Sequence, residues 1–218
     1  MAFPRVVLPL LLLMPMSGLA AQQAEPTRLV VQEGGREIGR EEFTLQQSRA
    51  RGASGTTLTA SARYPANQPA TQLGAVLEWG PEWSIAKFQL EVESAEGTTV
   101  ILAAGSGARL IVRTVAAGSE SGRELPGGPD VVLLDDGVYS LYAAVADLAT
   151  SAGRRLTAIF PRTGKRASFT AQRESAGGGG GVRTNLSGDI SGTLVTDAAG
   201  RLRRLELRDR NITVTRQE

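Results

Sequence analysis

A period-two alternation, repeated along the chain and punctuated by glycine turns, most limits the folds open to it. Leu58, Ala60, Ala62 and Tyr64 fall on one parity, and Leu73, Ala75, Leu77 and Trp79 do the same. Polar or small residues stand between them. Successive side chains of a strand point to opposite faces, so this spacing predicts half-buried antiparallel strands. Pro65-Ala66-Asn67-Gln68-Pro69 separates the two as a loop. In the segment 83–92 the phase changes: Trp83 and Ile85 share one parity, Phe88, Leu90 and Val92 the other. One inserted residue near Ala86-Lys87 restores the facing, which is what a β-bulge does.

The same reading covers most of the chain. Turns around Gly97 and Gly105-Ser106-Gly107 lead into strands at 98–104 and 109–115, a meander of hairpins. Upstream, 29–31, a Gly34-Gly35 turn and 37–45 make another hairpin, with Gly39 as the expected bulge site. Downstream, 156–160 and 166–172 flank a turn at Arg162-Thr163-Gly164. The segments 188–196 and 202–215 form a last hairpin, bent because Leu205 and Leu207 differ in parity from Ile212 and Val214. Residues 117–130 read as a surface loop and 177–181 as a flexible glycine break. One helix stands out at 138–148. Val138, Leu141, Tyr142, Val145 and Leu148 recur at helical spacing, Asp135 or Asp136 can cap its start, and Gly153 can mark its end. Ala143, Ala144 and Ala146 make its other faces apolar too, so it should be covered on more than one side. The expected fold is mainly β: a strongly curved antiparallel sheet, an open or half-closed barrel, with one α-helix packed on its concave face.

Composition then removes whole classes of chemistry. There is no cysteine and no histidine, so a disulfide scaffold, a serine–histidine triad and a cysteine–histidine dyad are excluded, and a zinc site nearly so. The fold must hold by core burial. Residues 1–21 read as a signal peptide: Arg5, a short apolar run at 6–14, Pro15, then Gly18 and Ala20 as small exit residues. The apolar run is about half of the ~20 residues that span a bilayer. Residues 22–218 are left as one β-rich domain, expected to be periplasmic or secreted, with no transmembrane anchor. A net charge of +2 argues against a nucleic-acid partner, and no cofactor is expected.

Few motifs compete with a packing role. Ser84-Ile85-Ala86-Lys87 matches S-x-x-K, but that pair needs a helix start, and here it falls in a strand pattern. Asp130, Asp135 and Asp136 lack calcium-loop spacing. Glu78 and Glu82, beside Trp79 and Trp83, form the most enzyme-like cluster, because paired carboxylates and sugar-stacking tryptophans suit a glycosidase. The simpler reading is a Gly80-Pro81 turn between strands. Arg201, Arg203, Arg204, Arg208 and Arg210 read as a solvated strand face.

Gly34-Gly35-Arg36-Glu37-Ile38-Gly39, Leu133-Leu134-Asp135-Asp136-Gly137-Val138 and Phe160-Pro161 resemble segments of uncharacterised exported bacterial β-rich proteins. The layout is similar to the lipoprotein-carrier (LolA-like) group. That resemblance implies a curved sheet and helices enclosing an apolar cavity, and it transfers no functional residue.

Together these readings lead to an expected function: non-catalytic binding of a hydrophobic or lipid-like ligand in the concavity of the sheet. Trp79, Trp83, Tyr139 and Tyr142 are the candidate ligand-binding residues, through apolar contact and through orienting N–H and O–H groups. The alternatives are a structural or protein-interaction domain that meets an envelope protein through its edge strands, and a carboxylate-based envelope hydrolase.

Overall fold

The computed structural model describes residues 25–50, 52–66, 70–81, 85–174 and 181–217. The signal segment, Trp83, Ser84 and Glu82 lie outside the described residues. The chain is mainly β. A first meander runs through β1 (Thr27–Glu33), β2 (Arg36–Ala50), β3 (Ala53–Tyr64), β4 (Thr71–Trp79), β5 (Ile85–Ser94), β6 (Gly97–Ser106), β7 (Arg109–Ala116) and β8 (Ser119–Pro126). The short β9 (Val131–Leu133) and the one described α-helix, α1 (Tyr142–Leu148), follow. A second meander then runs through β10 (Arg154–Ile159), β11 (Arg166–Arg173), β12 (Val182–Gly188), β13 (Gly192–Thr196), β14 (Leu202–Leu207) and β15 (Ile212–Arg216). All of these strands join one sheet, in the order β8-β7-β6-β5-β4-β3-β2-β1-β15-β14-β13-β12-β11-β10-β9.

The two meanders are zipped together where the first strand meets the last: Leu29 faces Arg216 and Val31 faces Val214. Every pairing is antiparallel except β9 on β10. The outermost strands β8 and β9 stand at opposite edges of the sheet, yet only residues 127–130 separate them in sequence.

Local chemistry explains most of the pairing. Gly34-Gly35 and Ala117-Gly118 take positive φ at both positions (57°, 83° and 47°, 75°), the twist that two-residue hairpin turns require. The β4–β5 register passes from Glu78↔Lys87 to Trp79↔Ile85 and leaves Ala86 unpaired, as the parity change predicts. The β1–β2 register skips Ile38, next to the expected site. Gly39 itself has another use. A Cβ there would lie 2.4 Å from the Tyr64 ring, so glycine lets that ring rest on β2.

Four expectations need correction. Residues 119–126 of the anticipated loop form β8, paired along β7. The strand is exposed at nearly every position and so has no apolar alternation to read. The supposed bend at the C-terminus is a hairpin: β14 ends at Leu207, Asn211 turns with φ 55°, and β15 begins at Ile212. A reversal of direction changes parity just as a bulge does. The short β9, three buried residues before Leu134, pairs parallel rather than antiparallel. Finally, α1 is shorter than 138–148. Val138 is extended, Tyr139–Leu141 make a single 3-10 turn, and the α-helix runs only from Tyr142 to Leu148, ending before Gly153.

The core collects on one face of the strands, with Leu58, Phe88, Leu90, Val112, Leu194, Leu205 and Val214 fully buried. Val138 through Ala149 are buried except for Asp147. The 3-10 turn touches β2, whereas α1 touches β11, β12 and β13. The helical segment therefore meets strands from both meanders, as its all-round apolar sequence requires.

Candidate functional site

The two ends of this helical segment differ in chemistry. At its start, Glu41 of β2 is only 2% exposed. Its two carboxyl oxygens accept the backbone N–H groups of Tyr139 (2.8 Å) and Ser140 (2.9 Å). These are the amides a helical turn leaves without partners. The cap thus comes from a strand about a hundred residues earlier in the chain, not from Asp135 or Asp136. Burial pushes the Glu41 carboxyl up to about 7, although the amide donors pull the other way.

Asp135 is held differently. The Arg162 guanidinium grips it with two bonds of 2.8 and 3.0 Å, and its Oδ1 accepts the Gly137 N–H at 2.8 Å. Burial still raises its pKa, against the pull of Arg162. The Tyr64 hydroxyl donates to the Gly137 carbonyl at 2.9 Å, and burial raises its pKa as it does those of Tyr139 and Tyr142. Asp136 pairs with Arg210, whose guanidinium lies 5.1 Å from the centre of the Phe160 ring. Arg210 is thus mostly covered rather than part of a solvated face. This end is a polar lock, its buried acids tied to backbone amides and to Arg162.

The other end opens. A hollow of about 410 Å³ is bounded by Leu45, Gln47, Thr56 and Trp79 of the first meander and by Ala143, Ala146 and Asp147 of α1. Arg173, Val182, Thr196 and the turn at residues 197–200 complete its wall. Small ligands and acyl chains commonly occupy spaces of ~300–1,000 Å³, so the hollow lies in the lower part of that range. Two alanines on consecutive helical turns leave room where larger side chains would fill it. Asp197 at the rim accepts N–H groups of Ala199 and Arg201 and ion-pairs with Arg201 and Arg216. Burial alone would raise its pKa, but these donors hold it below the usual aspartate range.

Of the four candidate ligand-binding residues, Trp79 lines this hollow while being 4% exposed itself. Tyr139 and Tyr142 are buried in the helical segment beside the polar lock, away from the hollow. The Tyr142 hydroxyl has no hydrogen-bond partner among the described residues. Trp83 lies outside the described residues, as do Glu82 and Ser84 of the two enzyme-like motifs. Glu78 faces Lys87 across β4 and β5, on the opposite parity from Trp79. Lys87 is in the strand β5. Among the described residues no metal-binding cluster of three side chains forms, and no helix is long and apolar enough to cross a membrane.

Sequence reasoning missed Glu41 and Arg162. The signal for Glu41 was present: it shares the inward parity of Phe43, and an acid on a buried face must find donors. Arg162 gave no such signal, because its partner is 27 residues away in sequence.

No protein-family model matches this chain, and no curated protein does. Among solved structures, a DUF1089 family protein from Pseudomonas aeruginosa is 15% identical. The match covers 74% of this chain and 86% of that one, with a TM-score of 0.48.

Proposed function

We propose that this chain is an exported, non-catalytic protein that receives a hydrophobic or lipid-like ligand in the hollow beside α1, within a strongly curved sheet. Chain geometry supports the curvature. Fifteen strands at ~4.8 Å spacing would measure roughly 65–70 Å across if flat. The link from Pro126 to Val131 can reach about 18 Å at most, so the two edges it joins must curl toward each other. Arg123 of β8 donates to the Pro161 carbonyl, just after β10, which fits the same curl. The helical segment touches β2 at one end and β11–β13 at the other, which supports the reading that it lies on the concave side.

The observation that carries the ligand reading is the hollow at the open end of α1, where Trp79, Leu45 and two alanines meet. The buried acids are already committed to structure: Glu41 to two amides, Asp135 to Arg162 and Gly137. Titration with fatty acids, lysolipids or detergents below their micellar range is expected to change tryptophan emission and to saturate. Unchanged emission with all three classes contradicts the reading.

A second reading, an interaction domain of the envelope, has one observation in its favour. Leu102, Ile111 and Val115 are exposed on one face of β6 and β7, beside the edge strand β8. Large exposed apolar side chains grouped on a sheet are a common contact surface. Replacing Ile111 and Val115 with Thr is expected to abolish capture of an envelope partner in that case and to leave lipid titrations unchanged.

A further inference from the structure

We infer that the ligand of this hollow is a single-chain amphiphile with an anionic head, its chain on Trp79 and the helix alanines and its head on Arg173. The inference rests on the ligand reading above and adds the class of ligand. The volume sets the first limit: about 410 Å³ is near the lower bound of ordinary ligand sites, so it suits one acyl chain rather than a multi-chain lipid. Charge sets the second. The rim brings together Arg173, Asp147 and Asp197, and Asp197 is gripped by Arg201 and Arg216. Of the charges that line the hollow, Asp197 is thus matched by Arg201 and Arg216 behind the wall, which leaves Arg173 as the lining cation outside any ion pair among the described residues.

The cations differ in availability. Arg201 and Arg216 are spent on Asp197, although the Nε of Arg216 is buried with no partner among the described residues. Arg173 donates from Nη2 to the Ala146 carbonyl at 3.1 Å and joins no ion pair among the described residues. That bond holds the guanidinium against the last turn of α1, on the wall of the hollow, and among the described residues it is the hydrogen bond that Arg173 makes through its side chain. A planar guanidinium held in this way favours the paired oxygens of a carboxylate or phosphate. Asp147, on the same wall, offsets part of the Arg173 charge, so the head that Arg173 favours is one of low charge. Gln47, Thr56 and Thr196 add neutral donors and acceptors around the rim.

The test compares C12 probes that differ only in the head: dodecanoate, dodecyl phosphate, dodecyl maltoside and dodecyltrimethylammonium. Each is titrated against the protein below its micellar concentration and followed by tryptophan emission. The inference expects the two anions to bind about tenfold or more tighter than the other two, the range for a charged hydrogen bond. Preference for the carboxylate marks a free fatty acid, and preference for the phosphate marks a lipid head group; either supports the inference. Arg173→Gln is expected to erase the advantage of the anions and leave the maltoside unchanged. Should that variant fold poorly, added salt serves instead, weakening the anions and not the maltoside. Equal affinity for all four heads overturns the inference and leaves the ligand reading standing. Binding of none overturns both. Loss of all four ligands alike in folded Arg173→Gln means that the side chain only braces α1, and this also overturns the inference.

Discussion

The two ends of one short helical segment are built on opposite plans. At Tyr139 and Ser140 the backbone donors are met by a buried carboxyl, and neighbouring charges are paired or covered. At Ala143 and Ala146 the side chains stop short, and a hollow remains between strands of the two meanders. A polar lock resists substitution, because each buried group it orphans costs desolvation. An open alanine wall tolerates substitution, and what it loses is space. The difference separates what holds the segment in place from what leaves space beside it.

The largest effect is expected from breaking the lock. Asp135→Ala removes both bonds to Arg162 and the acceptor for Gly137 N–H. Leaving one member of a mostly buried pair alone costs about 3 kcal/mol, read as a lower urea midpoint with little change in slope. Ligand affinity measured well below that midpoint should be unaffected.

Next comes acidity. The folded protein keeps the Glu41 proton up to about 7, whereas the unfolded chain releases it near the ordinary glutamate value of 4.5. Stability from this group is therefore full below 4.5, falls as pH rises toward 7, and is level above that. The span is on the order of 3 kcal/mol. Asp135, also raised, adds to the same trend, whereas Asp197, lowered, loses its contribution only in stronger acid. Glu41→Gln is expected to flatten the fall between 4.5 and 7 in urea titrations across pH. An unaltered slope would mean that the carboxyl is no harder to ionise in the fold than in water.

Gly39→Ala sharpens the comparison on the β2 side. The added methyl meets the Tyr64 ring and the Arg63 carbonyl and pushes Tyr64 from Gly137. Overpacking of this kind costs about 2 kcal/mol. At the open end, Ala146→Leu is expected to cost under about 1 kcal/mol, because the new atoms enter space already present. It should nevertheless abolish lipid titration. If Ala146→Leu destabilises as much as Asp135→Ala, the two ends are not the different structures described.

Some of this was legible in the sequence. The inward rows Leu58–Tyr64 and Leu73–Trp79, the unpaired Ala86 and the all-round apolar helical segment follow from periodicity alone. So does Trp79 as a candidate, since it ends an inward row. Other parts were hidden for physical reasons. β8 is held by backbone pairing and carries no burial pattern. The parity change before Ile212 has two causes that look alike in one dimension. The lock joins Glu41 to Tyr139 and Ser140, nearly a hundred residues apart, and no local pattern specifies such a pairing. Asp135 carried the right chemistry, a short acid before a helical run. Its partners are Arg162 and the Gly137 amide rather than the first turn of the helical segment, because a guanidinium binds a carboxylate more strongly than a bare amide does.

The most direct test maps amide chemical shifts of the protein as dodecanoate is added. Saturable changes at Trp79, Ala143, Ala146 and Val182, with Gly137, Tyr139 and Ser140 still, are the predicted result. Changes centred on Ile111 and Val115, changes at the Glu41 end, or a spectrum that does not respond would contradict it.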